Sequence, residues 1–156
     1  QTTLASSVRL NWTFSPSLSL ELYAQPLFSS GNFRQFKELR RARSYDFLRY
    51  GTAGSTLTPT VDPNGHVASY SADPDGAGPA AALDFSNPDF NVASLRGNAV
   101  LRWEYHPGSV LYLVWTQDRS AFMDDGDFHL GRSLSRLANA RGNHIVALKL
   151  TYWWHP

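Results

Sequence analysis

The sequence contains no cysteine, which excludes a disulfide framework and any thiolate metal site. It has no long apolar run either: nothing approaches the roughly 20 consecutive apolar residues of a spanning helix. Charge is sparse, with Asp, Glu, Lys and Arg making up 17% of the 156 residues. The formal net charge of +1 argues against a nucleic-acid footprint, which is normally strongly basic. Phosphate-binding loops, dinucleotide fingerprints and nucleophile elbows are missing. His66, His106, His129, His144 and His155 include no pair at ligand spacing. No basic leader or apolar signal core follows Gln1. Either such a leader has been removed or the chain is the C-terminal piece of a longer protein, and the second is expected.

Aromatic residues, by contrast, are abundant at 13%, and they sit in a pattern. Apolar and polar residues alternate with period two, the mark of strands with unlike faces. In the first segment Val8, Leu10, Trp12 and Phe14 share one face, with Ser7, Arg9, Asn11 and Thr13 on the other. The second sets Leu18, Leu20, Leu22 and Ala24 against Ser19, Glu21, Tyr23 and Gln25. A three-residue loop, Ser15-Pro16-Ser17, places Trp12 opposite Leu20 and Leu10 opposite Leu22. A third segment puts Leu95, Gly97, Ala99, Leu101, Trp103 and Tyr105 against Arg96, Asn98, Val100, Arg102 and Glu104. The fourth, Val110 to Gln117, is apolar on both faces. A three-residue turn there sends Leu111, Leu113 and Trp115 to the apolar face; two or four residues send Val110, Tyr112 and Val114. The last, His144 to Trp154, aligns Val146, Leu148, Leu150, Tyr152 and Trp154, with Ala147, Lys149 and Thr151 opposite.

Connections alternate between short (Ser15 to Ser17, about Pro107 to Ser109) and long (about 32–93 and 118–143). Short turns on one side and long loops on the other are how bacterial outer-membrane barrels are built. Trp12, Phe14, Trp103, Tyr105, Tyr152 and Trp154 all fall at the short-turn end, where a membrane-interface girdle belongs. Arg9, Glu21, Arg96, Arg102, Glu104 and Lys149 occupy the opposite face and suit a polar lumen. A sandwich core and a one-side-solvated sheet explain each feature separately, but not their coincidence. About five membrane strands are too few to close a barrel, which takes about eight. Thr56 to Val61 and His66 to Ser71, flanking Asp62-Pro63-Asn64-Gly65, predict an extracellular hairpin.

The run Ser94 to Tyr105, then Pro107-Gly108-Ser109 and Val114-Trp115-Thr116-Gln117, resembles the C-terminal barrel of a large uncharacterised bacterial family. So do Leu22-Tyr23-Ala24-Gln25-Pro26, Phe36-Lys37-Glu38-Leu39, Arg43-Ser44-Tyr45-Asp46-Phe47, Asp73-Pro74-Asp75-Gly76 and Asn87-Pro88-Asp89-Phe90. Members of that family carry an N-terminal domain like carbohydrate-binding modules of family nine, ahead of an outer-membrane barrel of unknown function. The resemblance implies that this chain is roughly the last fifth of such a protein. It transfers no sugar-binding or catalytic residue.

Asp124-Asp125-Gly126-Asp127 lacks the EF-hand spacing and reads as a solvated loop rather than a cation site. Asp73-Pro74-Asp75-Gly76 reads as a turn. Glu21 and Glu104 could face one lumen, where carboxylates ordinarily serve as structural partners of cationic side chains rather than as a glycosidase dyad. Arg34 to Arg49 is basic and suits either lipopolysaccharide phosphates or a solvated, partly helical loop. Leu130, Leu134 and Leu137 predict a short amphipathic helix on the rim or in the lumen. The expectation is therefore an all-β chain, residues 1–156, forming the C-terminal portion of an antiparallel transmembrane β-barrel in a bacterial outer membrane. Its function would be structural or transport-type, with a link to carbohydrate uptake through a domain outside the chain; the alternative is a soluble all-β carbohydrate-binding module. Expected partners are outer-membrane lipids, lipopolysaccharide and barrel strands upstream or in other chains. No nucleic acid, cofactor, metal or catalytic residue is assigned.

Overall fold

Alternating segments can satisfy their backbone groups only by pairing with one another, and here they do so in antiparallel sheets. A computed structural model describes residues 1–154, in which a single short helix interrupts an otherwise all-β chain. The elements are β1 (Thr2–Ala5), β2 (Val8–Ser15), β3 (Leu18–Gly31), β4 (Lys37–Leu39), β5 (Phe47–Arg49) and β6 (Thr56–Val61). They continue with β7 (Val67–Asp73), β8 (Leu83–Ser86), β9 (Phe90–His106), β10 (Ser109–Met123), α1 (Leu130–Asn139) and β11 (Gly142–Thr151). Two compact units result among the described residues: 1–30, 91–123 and 128–154 in the first, 31–90 and 124–127 in the second. His155 lies outside the described residues.

The first unit is one open sheet in the order β1-β3-β9-β10-β11, with β2 also paired to β3. β1 and β2 follow one another along the same edge of β3, against Leu27–Ser30 and Leu18–Ala24 respectively. The sheet thus has five strand positions and two free edges, and it is not closed into a barrel.

Both short turns hold two residues between their paired ends and are flanked by a bulge; the first keeps the register expected of a three-residue loop, and the second decides a register that alternation left open. Ser15 pairs with Leu18 across Pro16-Ser17, and a shift between Thr13 and Ser15 restores Trp12 opposite Leu20 and Leu10 opposite Leu22. His106 pairs with Ser109 across Pro107-Gly108, and a shift at Ser109/Val110 sets Leu111 opposite Trp103 and Leu113 opposite Leu101. An extra residue in one strand does what a longer loop would have done, because a one-residue slip inverts every facing beyond it. Gly108, with φ of +77°, takes the left-handed position that such a bulged turn requires.

The central strands are longer than their alternation suggested. β3, β9 and β10 run 14, 17 and 15 residues, and the β9–β10 ladder continues unbroken to Asn91 opposite Met123. At that end α1 covers the sheet: Leu137 packs on Phe28 and Ala93, flanked by Leu95 and Phe128. Ser133 Oγ lies 3.3 Å from Asn91 Oδ1. The helix seats itself with Ser133 and Leu137, whereas Leu134, expected on the apolar stripe, is 49% exposed. β11 ends at Thr151 rather than Trp154. Beyond it the Ser109 hydroxyl, not a ladder carbonyl, accepts the Trp153 N–H at 2.9 Å.

The second unit contains a three-stranded sheet, β6-β7-β8, and a separate two-stranded β4-β5 hairpin. The expected hairpin over Asp62–Gly65 forms, with β8 as a third strand that alternation did not reveal. Pro59 lies in β6, an edge strand, where a missing N–H costs no ladder bond. The apolar centre is an aromatic triad of Phe36, Tyr70 and Phe85 with ring centroids 5.0, 5.1 and 5.6 Å apart. Residues 34–49 are not helical; they form the β4-β5 hairpin, Lys37 opposite Arg49 and Leu39 opposite Phe47.

Candidate functional site

The two faces of the five-position sheet differ sharply in chemistry. On one face the registers align Val8, Leu10 and Trp12 with Ala24, Leu22 and Leu20. They likewise align Ala99, Leu101 and Trp103 with Trp115, Leu113 and Leu111, and these with Val146, Leu148 and Leu150. Leu95 and Ala93, under α1, lie farther along this same face. The helix therefore covers the half remote from the short turns and leaves the other half bare. Trp12 is 55% exposed and Leu148 67%. The buried apolar side chains of the whole described chain are only Phe28, Leu48, Ala72, Ala93 and Leu137. Most of the large apolar side chains lie outside this small core. Each one left in water forgoes about 1.5–3 kcal/mol of burial.

Aromatic residues mark the margin of the bare half. Trp12 and Phe14 stack at 6.0 Å, and Trp103 meets Tyr105 edge-on at 6.0 Å. Tyr152 and Trp154 follow β11 at the same end and are exposed. The Tyr105 hydroxyl donates to the Thr151 carbonyl at 3.1 Å, tying the second turn to the last strand. A Cβ on Gly108 would stand 3.1 Å from the Trp153 ring, so glycine there also makes room for an indole. One aromatic pair was not expected: the Trp115 indole N–H donates to His144 Nδ1 at 3.2 Å, the rings nearly parallel. Both residues lie on the apolar face. Their pairing depended on the β10 register, which sequence alternation left open.

The other face carries Arg9, Glu21, Arg96, Arg102, Glu104 and Lys149 together, as the paired registers require. Arg102 bonds Glu104 at 3.2 Å and Arg96 bonds Asp118 at 3.5 Å. Asn98 donates to the Thr116 hydroxyl at 3.2 Å. Glu21 and Glu104 do not come together as a pair. Glu104 instead serves Arg102 and accepts the Gly108 N–H at 3.3 Å, while Glu21 opens onto a recess of about 370 Å³. Arg9, Asn11, Leu22, Tyr23 and Asn98 complete that recess, with the Arg9 guanidinium 5.4 Å from the centre of the Tyr23 ring.

In the second unit the basic residues find local partners. Arg41 pairs with Asp46 at 3.3 Å, Lys37 stands 4.2 Å above the Phe47 ring, and Arg49 donates to Gln35 at 3.1 Å. The Tyr50 phenol donates to Glu38 at 2.8 Å, and its pKa is raised, first by burial and then by that carboxylate. The Asp62 carboxylate accepts the backbone N–H of Asn64 and of His66, both at 2.8 Å, which lowers its pKa, the His66 bond contributing most. The Asp73 side chain accepts the backbone N–H of Asp75 at 3.1 Å and of Gly76 at 2.8 Å, so Asp73-Pro74-Asp75-Gly76 is a side-chain-capped turn. In Asp124-Asp125-Gly126-Asp127 the glycine answers a packing demand. A Cβ there would lie 2.7 Å from the Gly31 carbonyl and the Asn32 Cα. No group of three His, Asp or Glu close enough to hold a metal ion occurs among the described residues.

No curated protein and no solved structure matches this chain. A family model described as "Domain of unknown function (DUF5916)" matches residues 1–155.

Proposed function

Because this chain belongs to that family of uncharacterised domains, we propose that it is a stretch of wall in a β-barrel of a bacterial outer membrane, serving transport, anchoring or scaffolding. The observation that carries this is the bare apolar half-face beside the short turns, set against a core of five buried apolar side chains. Over the roughly seven residues from Val8 to Phe14 it extends about 23 Å along the strand, which at a tilt of about 40° covers about 18 Å of the ~25 Å apolar band of membrane barrels. In lipid, side chains such as Leu148 and Val146 meet hydrocarbon instead of water. The six short-turn aromatics then stand at the periplasmic interface, where amphipathic rings are favoured. The ion-paired face lines an aqueous lumen, which keeps Arg96, Arg102 and their partners out of hydrocarbon.

The long connections leave and re-enter the sheet at the opposite end, on the outer side of the membrane. There the basic residues of the β4-β5 hairpin suit contact with lipopolysaccharide phosphates. A link to carbohydrate uptake would come through a domain outside residues 1–156.

Expression in a Gram-negative host, followed by membrane fractionation and gel migration with and without boiling, tests the proposal. The expected protein extracts only with detergent and migrates differently once boiled. A monodisperse species in plain buffer would overturn it, and would favour a soluble carbohydrate-binding module that uses its exposed tryptophans as sugar platforms.

A further inference from the structure

The two free edges of the first-unit sheet run in the same direction. β2 enters the first short turn at Pro16-Ser17. β11 runs from Gly142, opposite Arg119, to Thr151, opposite Val110 beside the second short turn. Five alternating positions make this unavoidable. The consequence concerns what completes the barrel, and it rests on the membrane reading above.

A ring of copies all pointing one way would join β11 of one copy to β2 of the next as a parallel pair, whereas bacterial outer-membrane barrels are antiparallel throughout and even in strand number. Copies pointing opposite ways would pair β11 with β11 and β2 with β2 antiparallel. They would then put one copy's long loops on each side of the membrane, against the sorting of short turns and long loops that the sheet displays. Neither arrangement of this segment alone satisfies both constraints.

We propose that an odd number of further strands, at least three, from the same polypeptide outside residues 1–156 closes the sheet between β11 and β2. Three is the minimum because the smallest such barrels have about eight strands. Each added strand pairs antiparallel to its neighbours, so the complete barrel opens and ends on one and the same side of the membrane. Strands that precede β2 put both ends at the short-turn side, in the periplasm, whereas strands that follow β11 put both at the long-loop side.

The test uses the full-length protein in intact cells, with epitope tags at the two ends of the complete barrel and, separately, between Asn64 and Gly65 in the β6-β7 turn. Heat-modifiable migration checks that each tagged protein has inserted. The expected result is antibody labelling of the Asn64–Gly65 tag without permeabilisation, and the same behaviour from both end tags, either both labelled in intact cells or both labelled only after permeabilisation. Labelling of only one end tag in intact cells means an even number of added strands and overturns the inference while leaving the membrane assignment standing. A dark Asn64–Gly65 tag in a heat-modifiable protein overturns the placing of the long loops on the outer side, and the strand count with it; an untagged protein that is not heat-modifiable overturns the membrane assignment itself.

Discussion

At the scale of single residues, several glycines and carboxylates in this chain serve geometry rather than chemistry. Gly108 sits at a positive φ beneath the Trp153 ring, so a side chain there meets both backbone strain and an indole. Gly108→Ala is expected to cost about 1–2 kcal/mol from the left-handed backbone alone, read as a lower urea midpoint with an unchanged slope. Asp62 holds the β6-β7 turn through two backbone N–H bonds that favour its charged form. Its folded pKa lies below the unfolded one, so its contribution is full above the ordinary carboxylate range and is lost as pH falls through the folded value. An NMR titration should show the Asp62 carboxyl and the His66 amide moving together, with a midpoint below that of an unperturbed aspartate.

At the scale of elements, the helix α1 packs on the sheet's apolar face, and it does so through very few side chains. Phe28, 5% exposed, and Leu137, 4% exposed, form the contact. Phe28→Ala is expected to cost about 3–5 kcal/mol, whereas Leu134→Ala, at an outward position, stays within about 0.5 kcal/mol. Hydrogen exchange of the α1 amides separates the two outcomes, since only the first loosens the helix. The bulges at the two short turns act at this same scale: each moves a strand by one residue and so decides which side chains join the apolar face and which the polar one.

At the scale of the whole molecule, the sheet has one face suited to lipid and one suited to water, and the two are distinguishable by charge. Leu148 and Ala147 are neighbours on β11 with opposite facings. Leu148→Arg is expected to cost roughly 2–4 kcal/mol of folding stability in lipid vesicles, and Ala147→Arg close to nothing. Denaturant titration followed by gel migration measures both. Equal effects at the two positions would contradict a lipid-facing stripe. In a soluble sheet with exposed faces, neither change would matter much.

Alternation by itself determined the strand-rich class, the facing of β2, β3, β9 and β11, and the pairing of Trp12 with Leu20, because a period of two leaves each side chain only one face to occupy. The Asp62–Gly65 turn was equally legible, since its residues carry their own turn chemistry. Polar stretches gave no such signal. The outer halves of β3, β9 and β10, the strands β4, β5 and β8, and the seat of α1 on Ser133 and Leu137 all rest on backbone pairing and on contacts between residues distant in sequence. The facing of β10 could be settled only by tertiary structure, because Val110 to Val114 is apolar on both sides and a one-residue bulge carries the whole decision. The Trp115–His144 pair was hidden for the same reason: until that register is fixed, nothing local says which face Trp115 shares.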